Sequence, residues 1–301
     1  MTFLRLTNKP EPRKPHYPDA VVPLTFADIP ALRLGNRSLL RDDEVVASLR
    51  SMPGISQWHP ASGEFVLVAP WRNRDDIATF RLISAFGNER ELVDAALDAA
   101  DASGKAAFIT TETYERRKPE FYAGHGLEQM ETIISYQHER IADFLDIAIN
   151  PAQEFHPVQF GDDDLIEGML ALDHAAFPWL WRNSREEFAW WMQQQLVEVT
   201  VGLIDGVVTS YYGTTHFRNM GHLDRIAIHP DYQGKALGRE TLTIALQRMA
   251  RLGHKRAALC TQATNGVSQK LYERAGFRRV PNDDYHMYGR LLSAAPKEAH
   301  P

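Results

Sequence analysis

The segment from Leu223 to Gly238, LDRIAIHPDYQGKALG, constrains the fold of this chain more than any other. It reads as a strand-like run, a sharp turn, and then Gln233-Gly234-Lys235-Ala236-Leu237-Gly238 opening a long amphipathic helix. A glycine-rich turn at a helix N-terminus leaves backbone N–H groups unpaired and adds the positive end of the helix dipole. Such a turn is a seat for a diphosphate. Other nucleotide-binding patterns fail on spacing: the chain has no Gly-x-x-x-x-Gly-Lys-Ser/Thr, and no Gly-x-Gly-x-x-Gly follows a strand.

The turn resembles the central motif of the GCN5-related N-acetyltransferases, Gln/Arg-x-x-Gly-x-Gly/Ala. That resemblance implies that Gln233 and Gly238 anchor the diphosphate of acetyl-CoA, with Gly234, Lys235, Leu237 and Arg239 supplying N–H groups or positive charge. Ala236 departs from the pattern, standing where the family usually has glycine. Its methyl group restricts positive φ and the approach of a phosphate oxygen. A later stretch, Asn265-Gly266-Val267-Ser268-Gln269-Lys270-Leu271-Tyr272-Glu273-Arg274-Ala275-Gly276-Phe277, is similar to the family's second motif in order and spacing. By the same resemblance Asn265 holds the pantetheine arm and Tyr272 protonates the departing thiolate. The free backbone groups of Ile226, Ala227 and Ile228 bind that arm as an added strand would.

Amine attack on a thioester needs two reactants held together, a neutral amine, oxyanion support and a proton for the leaving sulfur. It requires no covalent nucleophile. The lone cysteine, Cys260, lies in the apolar run Arg256–Thr261 and is expected to be a small buried hydrophobe. If residues 221–229 form a strand, His222, Asp224, Ile226 and Ile228 share one face. Counting back from Gln233, the position that holds a catalytic glutamate in some relatives falls on His222, which titrates near neutral pH. Asp224 is the other candidate base, or else pairs with Arg225. In the family the segment between the first two helices walls the acceptor pocket, and here it carries Phe177, Trp179 and Trp181. These rings either stack on an acceptor or plug a domain interface.

The first half carries a faint copy of the second motif. Phe121-Tyr122-Ala123-Gly124-His125-Gly126-Leu127 aligns with Leu271–Phe277 at an offset of 150, and 106–110 aligns with 257–261 one residue out of register. Duplication follows. The copy has no diphosphate turn, since residues 81–90 contain one glycine and no matching motif. The expected fold is α/β (α+β): two tandem domains of this family, each a mixed, mostly antiparallel sheet flanked by helices, the N-terminal one degenerate. The layout resembles that of mycothiol synthase-like proteins. Expected bounds are an extended arm at 1–20, the degenerate domain at 21–150, the working domain at 151–295 and a tail at 296–301. Within the second half, Ser184-Arg185-Glu186-Glu187 reads as a capping box and Asp205-Gly206 as a hairpin turn.

Length and composition, 301 residues with 44% hydrophobic and 24% charged, are those of a globular protein with a sizeable core. A net charge of -6 gives no broad basic field for nucleic acid. No apolar stretch spans a bilayer, and the N-terminus lacks the apolar region of a secretory signal. One cysteine suits a reducing cytoplasm. Twelve histidines show no zinc spacing, so no metal is expected. The expected activity is acetyl transfer from acetyl-CoA to a primary amine on a small molecule or peptide, by direct attack. The alternatives are a non-catalytic acyl-CoA-binding regulator and an enzyme using another acyl donor. Oligomeric state is left open.

Overall fold

The computed structural model describes residues 20–32, 40–113 and 117–299. The expected arm, apart from residue 20, and the last two residues of the expected tail lie outside them. In chain order the elements of the first half are β1 (Val22–Pro23), α1 (Asp42–Ser51), β2 (Gln57–His59), β3 (Glu64–Pro70), β4 (Ile77–Ser84), α2 (Glu89–Ala102), β5 (Ala107–Thr111), α3 (Pro119–Gly124) and β6 (Glu128–His138). The second half gives β7 (Glu154–Val158), α4 (Asp163–Ala176), α5 (Arg185–Met192), β8 (Val197–Ile204), β9 (Val207–His216) and β10 (Met220–Ile228). It ends with α6 (Leu237–Arg251), β11 (Arg256–Gln262), α7 (Gly266–Arg274), β12 (Arg278–Arg279) and β13 (Tyr285–Leu291).

Local chemistry explains most of these elements. In β3, Phe65 and Leu67 pack toward Val45 and Leu49 of α1, while the alternate residues Val66 and Val68 pack toward Leu92 and Ala96 of α2. A strand covered on both faces reads as a continuous apolar run. Ser184 caps α5 by accepting a hydrogen bond from the Glu187 amide at 2.9 Å. The β8–β9 hairpin turns on Asp205 and Gly206 with φ of 50° and 78°, the left-handed pair that a tight hairpin requires. The duplication is visible in the backbone: the Leu127 amide bonds the Tyr122 carbonyl at 2.9 Å, and the Phe277 amide bonds the Tyr272 carbonyl at 3.0 Å. Each helix therefore ends in the same turn, with Gly126 and Gly276 at positive φ.

All strands of the described residues join one sheet in the order β1-β2-β3-β4-β5-β13-β6-β11-β10-β9-β8-β7, with β12 beside β6. It is mostly antiparallel, with two short parallel pairs, β4 with β5 and β10 with β11. The last strand of each half has changed places. β13 lies antiparallel between β5 and β6, and β6 in turn pairs with β11, placing Ser135 opposite Cys260. The exchange makes the two halves one hydrogen-bonded body.

At Gly289 the exchanged strand has no room for a side chain. A Cβ there would lie 2.6 Å from the Phe108 carbonyl oxygen and 2.6 Å from Ile109 Cδ1. Gly289→Val should therefore force β13 off β5 and lower stability by about 1–3 kcal/mol, the usual cost of overpacking. Urea unfolding measures it, and an unchanged midpoint would count against the tight β13–β5 contact.

Candidate active site

The turn between β10 and α6 is open. Gln233, Gly234, Lys235 and Ala236 are exposed, and the amides of Gly234, Lys235, Ala236, Leu237 and Gly238 find no acceptor among the described residues. Ala236 is the N-cap of α6 without a side-chain cap, at φ 63° and ψ 5°. The sequence marked this position as restrictive, and the backbone takes the left-handed region there despite the methyl group. Gly234, at φ 75°, takes the same region without that cost. The Gln233 side chain bonds back to the Ile228 carbonyl at 3.2 Å, and Lys235 Nζ reaches the Asp231 carbonyl at 3.3 Å. Five consecutive N–H groups at a helix start, without acceptors among the described residues, fit an anionic oxygen cluster, with Lys235 and Arg239 as flanking cations. Ala236→Gly should relax the turn by about 1 kcal/mol and raise the melting temperature by a few degrees. No rise would mean that the turn is unstrained.

Beside this turn the sheet splays. β10 and β11 pair only from Met220↔Arg256 to Leu223↔Leu259, so residues beyond Leu223 and Leu259 flank a gap. At the same point β10 carries a bulge: Leu223 pairs with Thr214, but Arg225 pairs with Gly213. The extra residue, Asp224, resets the alternation of the strand. Leu223 and Ile226 therefore both pack with Leu242 and Leu246 of α6, and Ile228 lies against Gly238. His222 and Asp224 point to the opposite face. The expectation that His222, Asp224, Ile226 and Ile228 share one face fails because a bulge leaves no trace in simple alternation.

His222 and Asp224 nevertheless meet. His222 Nδ1 lies 2.6 Å from Asp224 Oδ1, and Thr215 Oγ1 donates to Asp224 Oδ2 at 2.6 Å. Asp224 does not pair with Arg225, which turns to Asp173 instead, at 2.6 Å. Burial pulls the His222 pKa down, but hydrogen bonds with Asp224 and Cys260 outweigh it and carry the value up to about 9. His222 is therefore an imidazolium at neutral pH, not the free base that an unshifted histidine would be.

Cys260 corrects a second expectation. It is exposed rather than a buried hydrophobe. Leu259 fills the core beside α6 and α7, so its neighbour Cys260 turns to the face that carries His222. Ser135 Oγ lies 3.5 Å from the sulfur and donates to the Asp283 carbonyl at 2.9 Å. Burial near the gap raises the thiol pKa, while hydrogen bonds with His222 and Ser135 more than offset this and leave it lowered. The register that brings Ser135 there belongs to the exchanged strand, and no local pattern in the sequence encodes it.

Tyr272 sits on α7 at 5% exposure, in the core with Leu259 and Phe277. Burial raises its phenol to about 12, against the lowering effect of a hydrogen bond with Ser268, and the nearby Cys260 charge adds to the rise. The phenol is thus fully protonated at neutral pH. Asn265 caps α7, its Oδ1 accepting from the Ser268 amide at 3.1 Å.

The three aromatic residues of the expected acceptor wall divide. Trp179, at 8% exposure, packs with Trp71, Ile77, Ala107 and Ile109 of the first half, with the Arg74 guanidinium 4.6 Å over its ring. Trp181 packs partly into the same seam. Phe177 is half-buried beneath the Arg225 guanidinium at 3.7 Å. Of the two uses that the sequence allowed for these rings, the seam between the halves takes Trp179. Among the described residues no group of three His, Cys, Asp or Glu side chains forms a metal cage, and no helix is long and apolar enough to cross a membrane.

Comparison with known proteins agrees with this geometry. Residues 146–277 match the acetyltransferase (GNAT) family. The chain is 29% identical over 135 residues to a mycothiol acetyltransferase from Propionibacterium freudenreichii subsp. shermanii, a stretch covering 41% of this chain and 43% of that protein. It thus spans less than half the length of that relative. Among solved structures, a tandem GNAT protein from the clavulanic acid biosynthesis pathway superposes with a TM-score of 0.55 at 14% identity, covering 92% of this chain and 99% of that one. A GCN5-related N-acetyltransferase from Anabaena variabilis gives a TM-score of 0.60 at 9% identity, covering 90% and 72%. At such identities the structural likeness speaks for the fold alone. The open turn before α6 and the splayed strands β10 and β11 both fall within residues 146–277, the segment that matches the acetyltransferase (GNAT) family.

Proposed function

We propose that the chain moves an acetyl group from acetyl-CoA to a primary amine, with the working site in the second half. The amides of Gly234 to Gly238, open and without acceptors among the described residues, carry this reading, because they fit the coenzyme's diphosphate. Gln233, Lys235 and Arg239 border that seat. Backbone groups of Ile226, Ala227 and Ile228, beyond the parallel pairing, would hold the pantetheine arm together with Asn265. Bound there, the coenzyme supplies an activated acyl carbon at the gap. Tyr272 hydrogen-bonds the leaving sulfur, and the face with His222 and Asp224 receives the amine, with Phe177 and Trp181 as its aromatic wall.

The test compares acetyl-CoA with S-acetylpantetheine, which lacks the diphosphate, by calorimetry. Acetyl-CoA should bind at least tenfold more tightly, a difference of about 1.4 kcal/mol or more. Equal affinities would remove the diphosphate seat from the argument. Longer acyl-CoAs in the same titration identify the preferred donor, and thiol release in the presence of an amine panel identifies the acceptor class. A second reading, an acyl-CoA sensor without turnover, draws on Ala236, whose methyl group stands at a left-handed position of the seat. Coenzyme binding with no thiol release on any amine would favour it.

A further inference from the structure

We propose that Cys260 is a nucleophile that carries the acyl group, set in a Cys260–His222–Asp224 relay on the face of the sheet opposite α6 and α7. The proposal rests on the acyl-CoA reading above. Three groups from two strands make the relay. Thr215 holds Asp224, and Asp224 holds His222 through Nδ1; His222 pairs with Ala258 across the two strands, so Cys260, two positions on, lies on the same face of β11 as the His222 partner. With Nδ1 taken by the carboxylate, Nε2 is the nitrogen left for sulfur. An imidazole on the same face as a thiol, itself oriented by a carboxylate, is the arrangement that activates a nucleophile. Its placement matters as much as its content. Cys260 is the first residue of β11 after the last parallel pair with β10, so its sulfur stands at the mouth of the gap where a thioester would enter.

A packing role does not account for this cysteine. Its side chain is exposed, it lies 3.5 Å from the Ser135 hydroxyl, and that face of the sheet also carries the His222–Asp224 pair. An imidazolium with a depressed thiol beside it is an ion pair suited to nucleophilic sulfur. The protonation of His222 at neutral pH also removes it as the first base for an incoming ammonium or water. In a relay the same proton becomes useful.

The steps balance. The Cys260 thiolate attacks the thioester carbonyl carbon, the carbon–sulfur bond to the coenzyme breaks, and His222 delivers its proton to the departing coenzyme sulfur. Free thiol leaves, with the acyl group as a thioester on Cys260 and His222 neutral. The amine then attacks that carbonyl, His222 takes the proton from nitrogen, and the bond to Cys260 breaks. Amide is released and the thiolate–imidazolium pair is restored.

Because the chain has one cysteine, any thiol label reports on Cys260. Three measurements on the full chain, none of which needs the acceptor, test the relay. First, iodoacetamide should alkylate wild-type protein readily at pH 7, whereas His222→Gln should show a profile moved toward alkaline pH. The other groups acting on the sulfur, Ser135 and Asp283, are unchanged in that variant. Second, acetyl-CoA should add one acetyl group to the intact protein, removable by neutral hydroxylamine and absent in Cys260→Ala and Cys260→Ser. Third, labelled CoA should exchange into acetyl-CoA without any amine, and Cys260→Ala should slow that exchange by about a hundredfold or more. Acetyl-CoA binding by calorimetry runs alongside. Binding without acetylation of Cys260 and without exchange overturns the relay and leaves the coenzyme reading standing. Absence of binding overturns both. Exchange or a hydroxylamine-labile adduct that persists in both Cys260 variants overturns the relay as well.

Discussion

Arg225→Ala should lower the stability of the protein by about 3–5 kcal/mol, because it strands a carboxylate in the interior. Asp173 has no exposed side-chain surface, and Arg225 has 9%. Arg225 Nε donates to Asp173 Oδ2 and to the Tyr211 hydroxyl, each at 2.7 Å, and Nη2 donates to the Trp181 carbonyl at 2.6 Å. The Tyr211 hydroxyl also bonds Asp173 directly, and the other Asp173 oxygen accepts from the Asn183 amide at 2.8 Å. Asn183 in turn receives the Arg72 guanidinium of the first half. Removing Arg225 leaves one buried negative charge with only neutral donors in direct contact. The guanidinium also covers Phe177, so an apolar contact is lost with the charge. Thermal and urea unfolding measure the loss, and the Arg225→Ala/Asp173→Ala double variant should recover part of it, since the stranded charge is then gone. A single-variant loss below about 1 kcal/mol would show that the pair is solvated rather than buried. The effect should also reach the site, because Arg225 follows the bulged Asp224 and anchors the strand beneath His222.

That network marks the boundary of what the amino-acid order revealed. The open glycine turn before α6, the Asp205-Gly206 hairpin and the Ser184 cap were legible because each is a local rule: a few residues set φ, cap a helix or leave amides bare, wherever the segment lies. The duplicated helix end at Tyr122 and Tyr272 was legible for the same reason. The exchange of β6 and β13 was not. It depends on which of two equivalent edges each final strand meets, and both edges accept the same alternating pattern. Its consequence is the site itself, for Ser135 reaches Cys260 only through the exchanged strand. The bulge at Asp224 was equally silent. One extra residue reverses every later side chain, moving Ile226 and Ile228 to the helix side and leaving His222 and Asp224 on the other. The aromatic segment gave its composition but not its use, since the rings that wall a pocket and the rings that fill a seam obey the same burial preference.

Tyr272→Phe should slow acyl transfer by about a hundredfold while leaving acetyl-CoA affinity within about twofold, the pattern of a group that acts on the leaving sulfur rather than on binding. The substitution keeps the ring that packs against Phe277 and Tyr136 and removes only the hydroxyl. A phenol held at about 12 is a weaker acid than a thiol at its ordinary value near 8.5, so full proton transfer to the sulfur is uphill by about 3–4 pH units. Its contribution is then a hydrogen bond to developing negative charge, which is worth about 10²–10³ in rate for one well-placed donor. In the proposed relay the proton itself comes more readily from His222, whose value near 9 matches a thiol. The two groups separate by pH. Tyr272, raised above its ordinary value, stays protonated below about pH 10 and imposes no change there. His222, also raised, holds its proton at neutral pH and loses it as pH passes about 9, so the wild-type rate should fall on that limb, and the same limb should persist in Tyr272→Phe at a lower level. Loss of the limb in the phenylalanine variant would assign the titration to the phenol and reverse the division of labour. Unchanged turnover in that variant would remove Tyr272 from the reaction.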